Sequence, residues 1–400
     1  MKIPASYPSF TQEDKELLHT VVDDGWLTEG KFCAKFRRDL CKVTGKKHAL
    51  LVNSGSSANL VAMRVALDFF PGKYVITTAT GFPTTVAPIY QHNKIPIYID
   101  TDPKTLSPDM GQLAYMIDKW GDQVAGVIFA HTLGFPFDER LVRQIIGDRF
   151  LIADCCDCLG GYVWDKPVGY WADIATHSFF PAHMITMGEG GALVTDDDKM
   201  ISLAHQYSNW GRLCTCAPGQ SNTCGKRFER NIEGLPEGWD CKYTFTRLGY
   251  NLKITEFQGA LGYSQIQRLP EFVSKRNRNY CHLYDELSDL EPYFDFVQMS
   301  AGQVPFGFPL ILKDNIKTLF NSFVQHLESN GIATRRVFGG NLLRQPAFRH
   351  LQYISVPDLD GSNKLMEQCV WVGIHPQVTS EMVEYMGKTV HEFFNERMLI

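Results

Sequence analysis

Residues 49–62 read Ala49-Leu50-Leu51-Val52-Asn53-Ser54-Gly55-Ser56-Ser57-Ala58-Asn59-Leu60-Val61-Ala62. A short apolar run gives way to five small or polar residues and then to an apolar pattern of helical period. The expected form is a strand, a tight turn and a helix beginning near Ala58. Small residues at such a turn let backbone N–H groups approach an anion, and the helix N-terminus favours negative charge. Ser and Gly also serve there simply as N-cap and turn, so the motif alone leaves both readings open.

The same alternation continues outward. Apolar or β-branched runs recur at Tyr74–Thr78, Ile95–Ile99, Val124–Ala130, Phe150–Ala153, Ile174–His177 and Ala192–Thr195, with helical patterns such as Ala58–Phe70 and Met110–Lys119 between them. This predicts an α/β fold: a large, doubly wound, mostly parallel sheet covered by helices on both faces. In such sheets ligands bind beyond the carboxyl ends of the strands. From Cys214 to Trp239 the texture changes to Gly, Pro, Asn, Ser and charge, the composition of a long functional loop. Ile254–Leu287 reads as long helix interrupted at Pro270, leading to a smaller C-terminal α+β domain with a strand at Phe306–Leu312 and a helix at Ile316–Ser329. The expected division is residues 1–265 for the large domain and 266–400 for the small one, with the loop at about 213–240.

Composition bounds the function. The 400 residues are 44% apolar and 21% charged, which excludes a wholly disordered or fibrous chain. A net charge of −5, from 39 basic and 44 acidic residues, argues against nucleic acid or an anionic membrane as main partner. No apolar run approaches the roughly 20 residues of a membrane helix. The start, Met1 to Glu16, lacks the apolar core of an export signal, so a cytoplasmic protein is expected. In that compartment the eleven cysteines are not expected to form structural disulfides. Two clusters stand out: Cys155, Cys156 and Cys158, and Cys214, Cys216 and Cys224. Four thiolates drawn from them suit a 2Fe–2S centre or zinc.

Two further segments carry chemistry. Asp154 ends the Phe150–Ala153 run, where a carboxylate faces the ligand crevice, and Asp157 follows it. A carboxylate there can hold a pyridine nitrogen protonated and make the ring an electron sink; a helix cap is the plainer alternative. His183 lies among small and hydroxyl residues in Ser178–Gly191, just after a strand.

Together these segments resemble the sugar aminotransferase family of vitamin-B6 enzymes, which acts on nucleotide-linked keto-sugars. The resemblance runs through Gly25-Trp26-Leu27-Thr28, Ser54–Asn59, Gly81-Phe82-Pro83-Thr84-Thr85, Asp154, Ser178–Gly191, Leu248–Lys253, Thr334-Arg335-Arg336 and Gly340-Asn341. It implies a PLP-dependent transferase of fold type I and a homodimer sharing its active sites. By motif position, Gly55, Ser56 and Ser178 hold the phosphate and Phe82 stacks on the ring. Asp154 pairs with the pyridine nitrogen, and Asp157 contacts the 3-hydroxyl side of the cofactor. Asn251 supplies a phosphate contact across the subunit interface, and Arg335 contacts the sugar or diphosphate.

The departure from the family pattern is His183, where the aminotransferases carry a lysine. Imidazole has no primary amine with which to bind the cofactor covalently, but it is a general base near neutral pH. The resemblance therefore implies pyridoxamine phosphate (PMP) held non-covalently, and the family's 3-dehydrase chemistry. Cys156, Cys214, Cys216 and Cys224 are separated by 57, one and seven residues. That spacing resembles the 2Fe–2S motif of the CDP-4-keto-6-deoxyglucose 3-dehydrases of 3,6-dideoxysugar and lipopolysaccharide O-antigen synthesis, which a separate NADH-dependent iron–sulfur flavoprotein reductase supplies with electrons. Cys155 or Cys158 could replace Cys156. The alternatives are a cluster-free GDP-4-keto-6-deoxymannose 3-dehydratase recycled by glutamate, and a zinc-stabilised, non-catalytic protein of the same fold.

Overall fold

A computed structural model describes residues 1–297, 299 and 301–398. The strands of the main sheet begin with His48–Val52 (β1), Tyr74–Thr78 (β2), Ile95–Ile99 (β3), Val124–Ala130 (β4) and Phe150–Asp154 (β5). After a short hairpin of Tyr162–Val163 (β6) and Lys166–Pro167 (β7) come Ile174–Ser178 (β8) and Gly191–Thr195 (β9). Each β-branched or apolar run expected from the sequence is a strand. The sheet runs β8, β5, β4, β2, β3 in parallel, with β9 and β1 added antiparallel at one edge. Its strands are buried on both faces, as a sheet sandwiched by helices requires.

The other strands are Gly307–Ile311 (β10), Thr334–Arg336 (β11), Ile354–Ser355 (β12) and Cys369–Gly373 (β13). β10, β13 and β11 form a small antiparallel sheet. β12 instead pairs in parallel with β3 and extends the large sheet, so the C-terminal part of the chain returns to the main layer. The long helix breaks at Arg268, between Glu256–Gln267 and Leu269–Leu287, and Pro270 falls in the first turn of the second, where its missing N–H costs nothing. The expected division at residue 265 falls inside the first of these helices. Between the helix Asp198–Ser208 and the turn at Cys241–Tyr243 the chain is irregular, as expected for the cysteine-bearing loop. Among the described residues no helix is long and apolar enough to cross a membrane.

Candidate functional site

The carboxyl ends of β1, β5 and β8 meet at one place. β1 runs into Ser54, whose hydroxyl caps the helix Gly55–Phe69 by accepting from the Ser57 N–H. That helix N-terminus lies hard against the end of β8. A Cβ on Gly55 would sit 2.5 Å from Ser178 Cβ and 3.0 Å from Cys156 Sγ, so only glycine fits. The Ser56 hydroxyl donates to Thr84 Oγ1 at 2.8 Å, which ties the turn to the segment that carries Phe82. Phe82 is 52% exposed, with its ring edge-on to Phe338, so one face remains free.

Asp154, at the end of β5, is 5% exposed. Its Oδ2 accepts from Asn59 Nδ2 at 2.8 Å and from Thr85 Oγ1 at 2.7 Å. Thr176 Oγ1 donates to Asn59 Oδ1 at 2.6 Å and fixes that amide. The 3.2 Å bond from the Cys156 N–H falls on Oδ1, and the Cys156 thiol also bonds the carboxylate. A buried carboxylate with one oxygen saturated and the other lightly used suits a cationic ring nitrogen. With the glycine-lined helix N-terminus and the free face of Phe82, these residues fit a pyridoxal- or pyridoxamine-type phosphate. Asn59, Thr85 and Thr176 were not singled out from the sequence; a buried Asn in an otherwise apolar helix was the available signal.

His183 lies in the loop between β8 and β9. Its Nδ1 is 3.4 Å from Asp157 Oδ1, while Asp157 Oδ2 accepts from the Leu133 N–H at 3.2 Å. Asn251 is exposed beside the same cradle: its neighbour Leu252 accepts from the Asn53 N–H, and Asn251 bridges to Asn209. Arg335 is exposed on β11 and donates to the carbonyl of Thr334, so its recorded bond lies within its own strand.

Of the four sequence-matched cysteines, Cys156 follows β5 and the other three lie on the irregular loop. Cys156 lies in the cradle, under Gly55 and beside Asp154, where burial drives its thiol pKa upward. Cys214 and Cys216 hydrogen-bond each other on the irregular loop. Bonds from Thr223 bring the Cys216 pKa down to about 7, and Cys224 is exposed. Among the described residues, the one group of at least three potential metal ligands within 4.8 Å of one another is His131, Glu139 and Cys155. That group is already a closed hydrogen-bond network. His131 Nε2 lies 2.9 Å from Glu139, His131 Nδ1 accepts from the Phe137 N–H, and Glu139 accepts from the Trp171 N–H at 3.0 Å.

Residues 8–391 match the model of the DegT/DnrJ/EryC1/StrS aminotransferase family. The chain is 39% identical over 404 residues to the lipopolysaccharide biosynthesis protein RfbH of Salmonella typhimurium, covering 98% of this chain and 92% of that one. It is 35% identical over 392 residues to the dTDP-4-dehydro-2,6-dideoxy-D-glucose 3-dehydratase of Saccharopolyspora spinosa, covering 96% and 84%. Crystal structures of GDP-4-keto-6-deoxymannose-3-dehydratase superpose closely. One with bound GDP-perosamine has a TM-score of 0.87, 25% identity and coverage of 97% and 100%. Another, with a trapped PLP–glutamate geminal diamine, has a TM-score of 0.86 and 25% identity, with the same coverage.

Proposed function

The chain belongs to the DegT/DnrJ/EryC1/StrS aminotransferase family, and from that premise we propose that it is a PMP-dependent 3-dehydrase removing the C3 hydroxyl of a nucleotide-linked 4-keto-6-deoxy sugar. Vitamin-B6 chemistry and the type I fold come with the family and its solved members. The observation that carries the reaction type is His183: an imidazole stands on the loop after β8, with Nδ1 3.4 Å from Asp157. It can remove and return a proton but cannot bind the cofactor covalently.

Gly55, Ser56 and Ser178 would hold the phosphate at the helix N-terminus, Phe82 would cover the ring, and Asp154 would pair with its nitrogen. When bound, the cofactor supplies an amine for the 4-keto group and an electron sink. His183 acts as the base that takes a proton from the cofactor's 4′ carbon. Asn59 and Thr85 keep the Asp154 carboxylate fixed, so little reorganisation is needed when charge develops. Asn251 contacts the phosphate across a homodimer interface, and Arg335 meets the sugar or diphosphate. We assign CDP as the nucleotide and lipopolysaccharide dideoxysugar synthesis as the setting, on the resemblance of the motifs. RfbH, a lipopolysaccharide biosynthesis protein by name, is consistent with that setting. Turnover compared on CDP-, dTDP- and GDP-linked 4-keto-6-deoxy sugars tests the choice; a dTDP or GDP preference overturns it.

The 2Fe–2S cluster and its NADH-dependent reductase rest on the cysteine spacing and the resemblance. No step here passes through a cluster. The glutamate adduct of a solved relative favours a second reading, a dehydratase recycled by glutamate. Iron, sulfide and zinc analysis of protein purified without air separates them. About two irons and two sulfides per chain, with visible absorbance bleached by dithionite, would establish the cluster. Zinc, or no metal after reconstitution, with glutamate-dependent turnover, would establish the second reading.

A further inference from the structure

Three buried groups around His183 form a connected set that the proposed chemistry does not by itself require. The first is Asp157, whose Oδ2 is held by the Leu133 N–H. That bond comes from a strained corner: Leu133 is fully buried at φ +53°, a region bulky residues avoid, and Gly134 follows at φ +80°. A Cβ on Gly134 would lie 1.9 Å from the Val304 carbonyl oxygen. The corner is thus fixed, and it leaves Asp157 Oδ1 3.4 Å from His183 Nδ1, a buried nitrogen that makes no hydrogen bond among the described residues.

The second is Arg276, from the helix Leu269–Leu287, which is 2% exposed. Nη1 donates to the Phe306 carbonyl at 2.9 Å, and Nη2 points at the carbonyls of Ala182 and His183 at 3.4 and 3.5 Å. Among the described residues no carboxylate reaches it at ion-pair distance, and Asp157 is the acidic group whose charge it feels. The third is Phe306, whose ring lies 5.3 Å from the His183 ring and 5.6 Å from the Arg276 guanidinium. The Arg276 charge reaches His375, and burial holds that imidazole neutral, at a pKa of about 4. A methionine or leucine would fill the Arg276 volume without burying a cation, so a merely space-filling role does not account for it.

We infer that Asp157 and Arg276 are positioning residues for His183: Asp157 fixes the ring as the Nδ1–H tautomer with Nε2 free, and Arg276 anchors the backbone carbonyls of Ala182 and His183. This rests on the reading of His183 as the base and adds the groups that orient it. A 3.4 Å separation is long for a hydrogen bond, and such contacts shorten in the loaded site.

The test uses the full chain labelled with 15N-histidine, with the His183 signals identified by their loss in His183→Asn. The expected wild-type pattern is protonated Nδ1 and bare Nε2, replaced in Asp157→Ala by a mixture or by the Nε2–H form. With PMP and CDP-4-keto-6-deoxyglucose, Asp157→Ala and Arg276→Met should each lose roughly 10- to 100-fold in dehydration rate, with PMP affinity retained in Arg276→Met. Asp157→Asn, which keeps an acceptor but loses the charge, should move the acid limb of the pH–rate profile to lower pH. Arg276→Lys, the conservative variant if Arg276→Met fails to fold, should recover most of the rate. A wild-type Nε2–H tautomer, or Asp157→Ala and Asp157→Asn with wild-type rate and pH profile, overturns the inference. Turnover by His183→Asn would instead overturn the base assignment, leaving the tautomer result to stand by itself.

Discussion

Thr85→Val tests the role of Asp154 through the energetics of its carboxylate. Thr85 is buried, and valine replaces it with almost no change of shape. What is lost is the 2.7 Å bond to Asp154 Oδ2, leaving the 2.8 Å bond from Asn59 and the 3.2 Å bond from the Cys156 N–H. A hydrogen bond to a charged group contributes about 1.5–3 kcal/mol, and at 5% exposure water does little to replace it. The apoprotein should lose that amount in urea unfolding. If PMP places its ring nitrogen on Asp154 Oδ1, the holoprotein has a cation on the carboxylate that lost the hydroxyl. The deficit with saturating PMP should then shrink by about 1 kcal/mol, equivalent to roughly fivefold tighter PMP binding by the variant. Equal losses with and without PMP would refute the pairing, and an apoprotein loss near zero would refute the importance of the bond.

Three other outcomes follow from particular contacts. Gly55→Ala forces a Cβ to 2.5 Å from Ser178 Cβ, neither being the free end of a flexible side chain. The resulting strain, about 1–3 kcal/mol, should weaken PMP binding roughly 5- to 100-fold in a fluorescence titration. His183→Asn should bind PMP as the wild type does while losing dehydration, read by single-turnover mass spectrometry of the sugar. The Asp240 pKa lies at about 2, held down chiefly by Arg227, whose Nε donates at 2.9 Å. Being depressed, this carboxylate stabilises the cysteine loop above its unfolded value near 3.9 and loses that contribution as pH falls through about 2. Pepsin should therefore cut near Phe228 and Leu235 in Arg227→Met at pH 4 but in the wild type only closer to pH 2.

Much of the fold was legible because buried parallel strands declare themselves as short continuous apolar runs. Phe150–Ala153 and Val124–Ala130 are examples, and in both the strand matches the run to within a residue. β12 was not legible: two residues, Ile354–Ser355, follow the polar stretch at Gln352-Tyr353 and gain strand form only by pairing with β3. At the site, Gly55, Asp154 and His183 stood out by position after a strand. Asn59, Thr85 and Arg276 did not, because a polar residue inside a helix reads as solvent-facing until tertiary packing buries it. For the cysteines, the four-thiol set came from the resemblance of their spacing to a family motif; in the structure Cys156 packs under Gly55 and Cys224 is exposed on the loop.

The central claim is removal of the C3 hydroxyl by a PMP-loaded protein whose base is His183. Its most direct test is a single turnover of PMP-loaded protein with CDP-4-keto-6-deoxyglucose, followed by mass and NMR analysis of the sugar. The account predicts loss of the C3 oxygen with no nitrogen retained in the released product. A 4-amino sugar with its 3-hydroxyl intact would contradict it and return the chain to ordinary amino transfer.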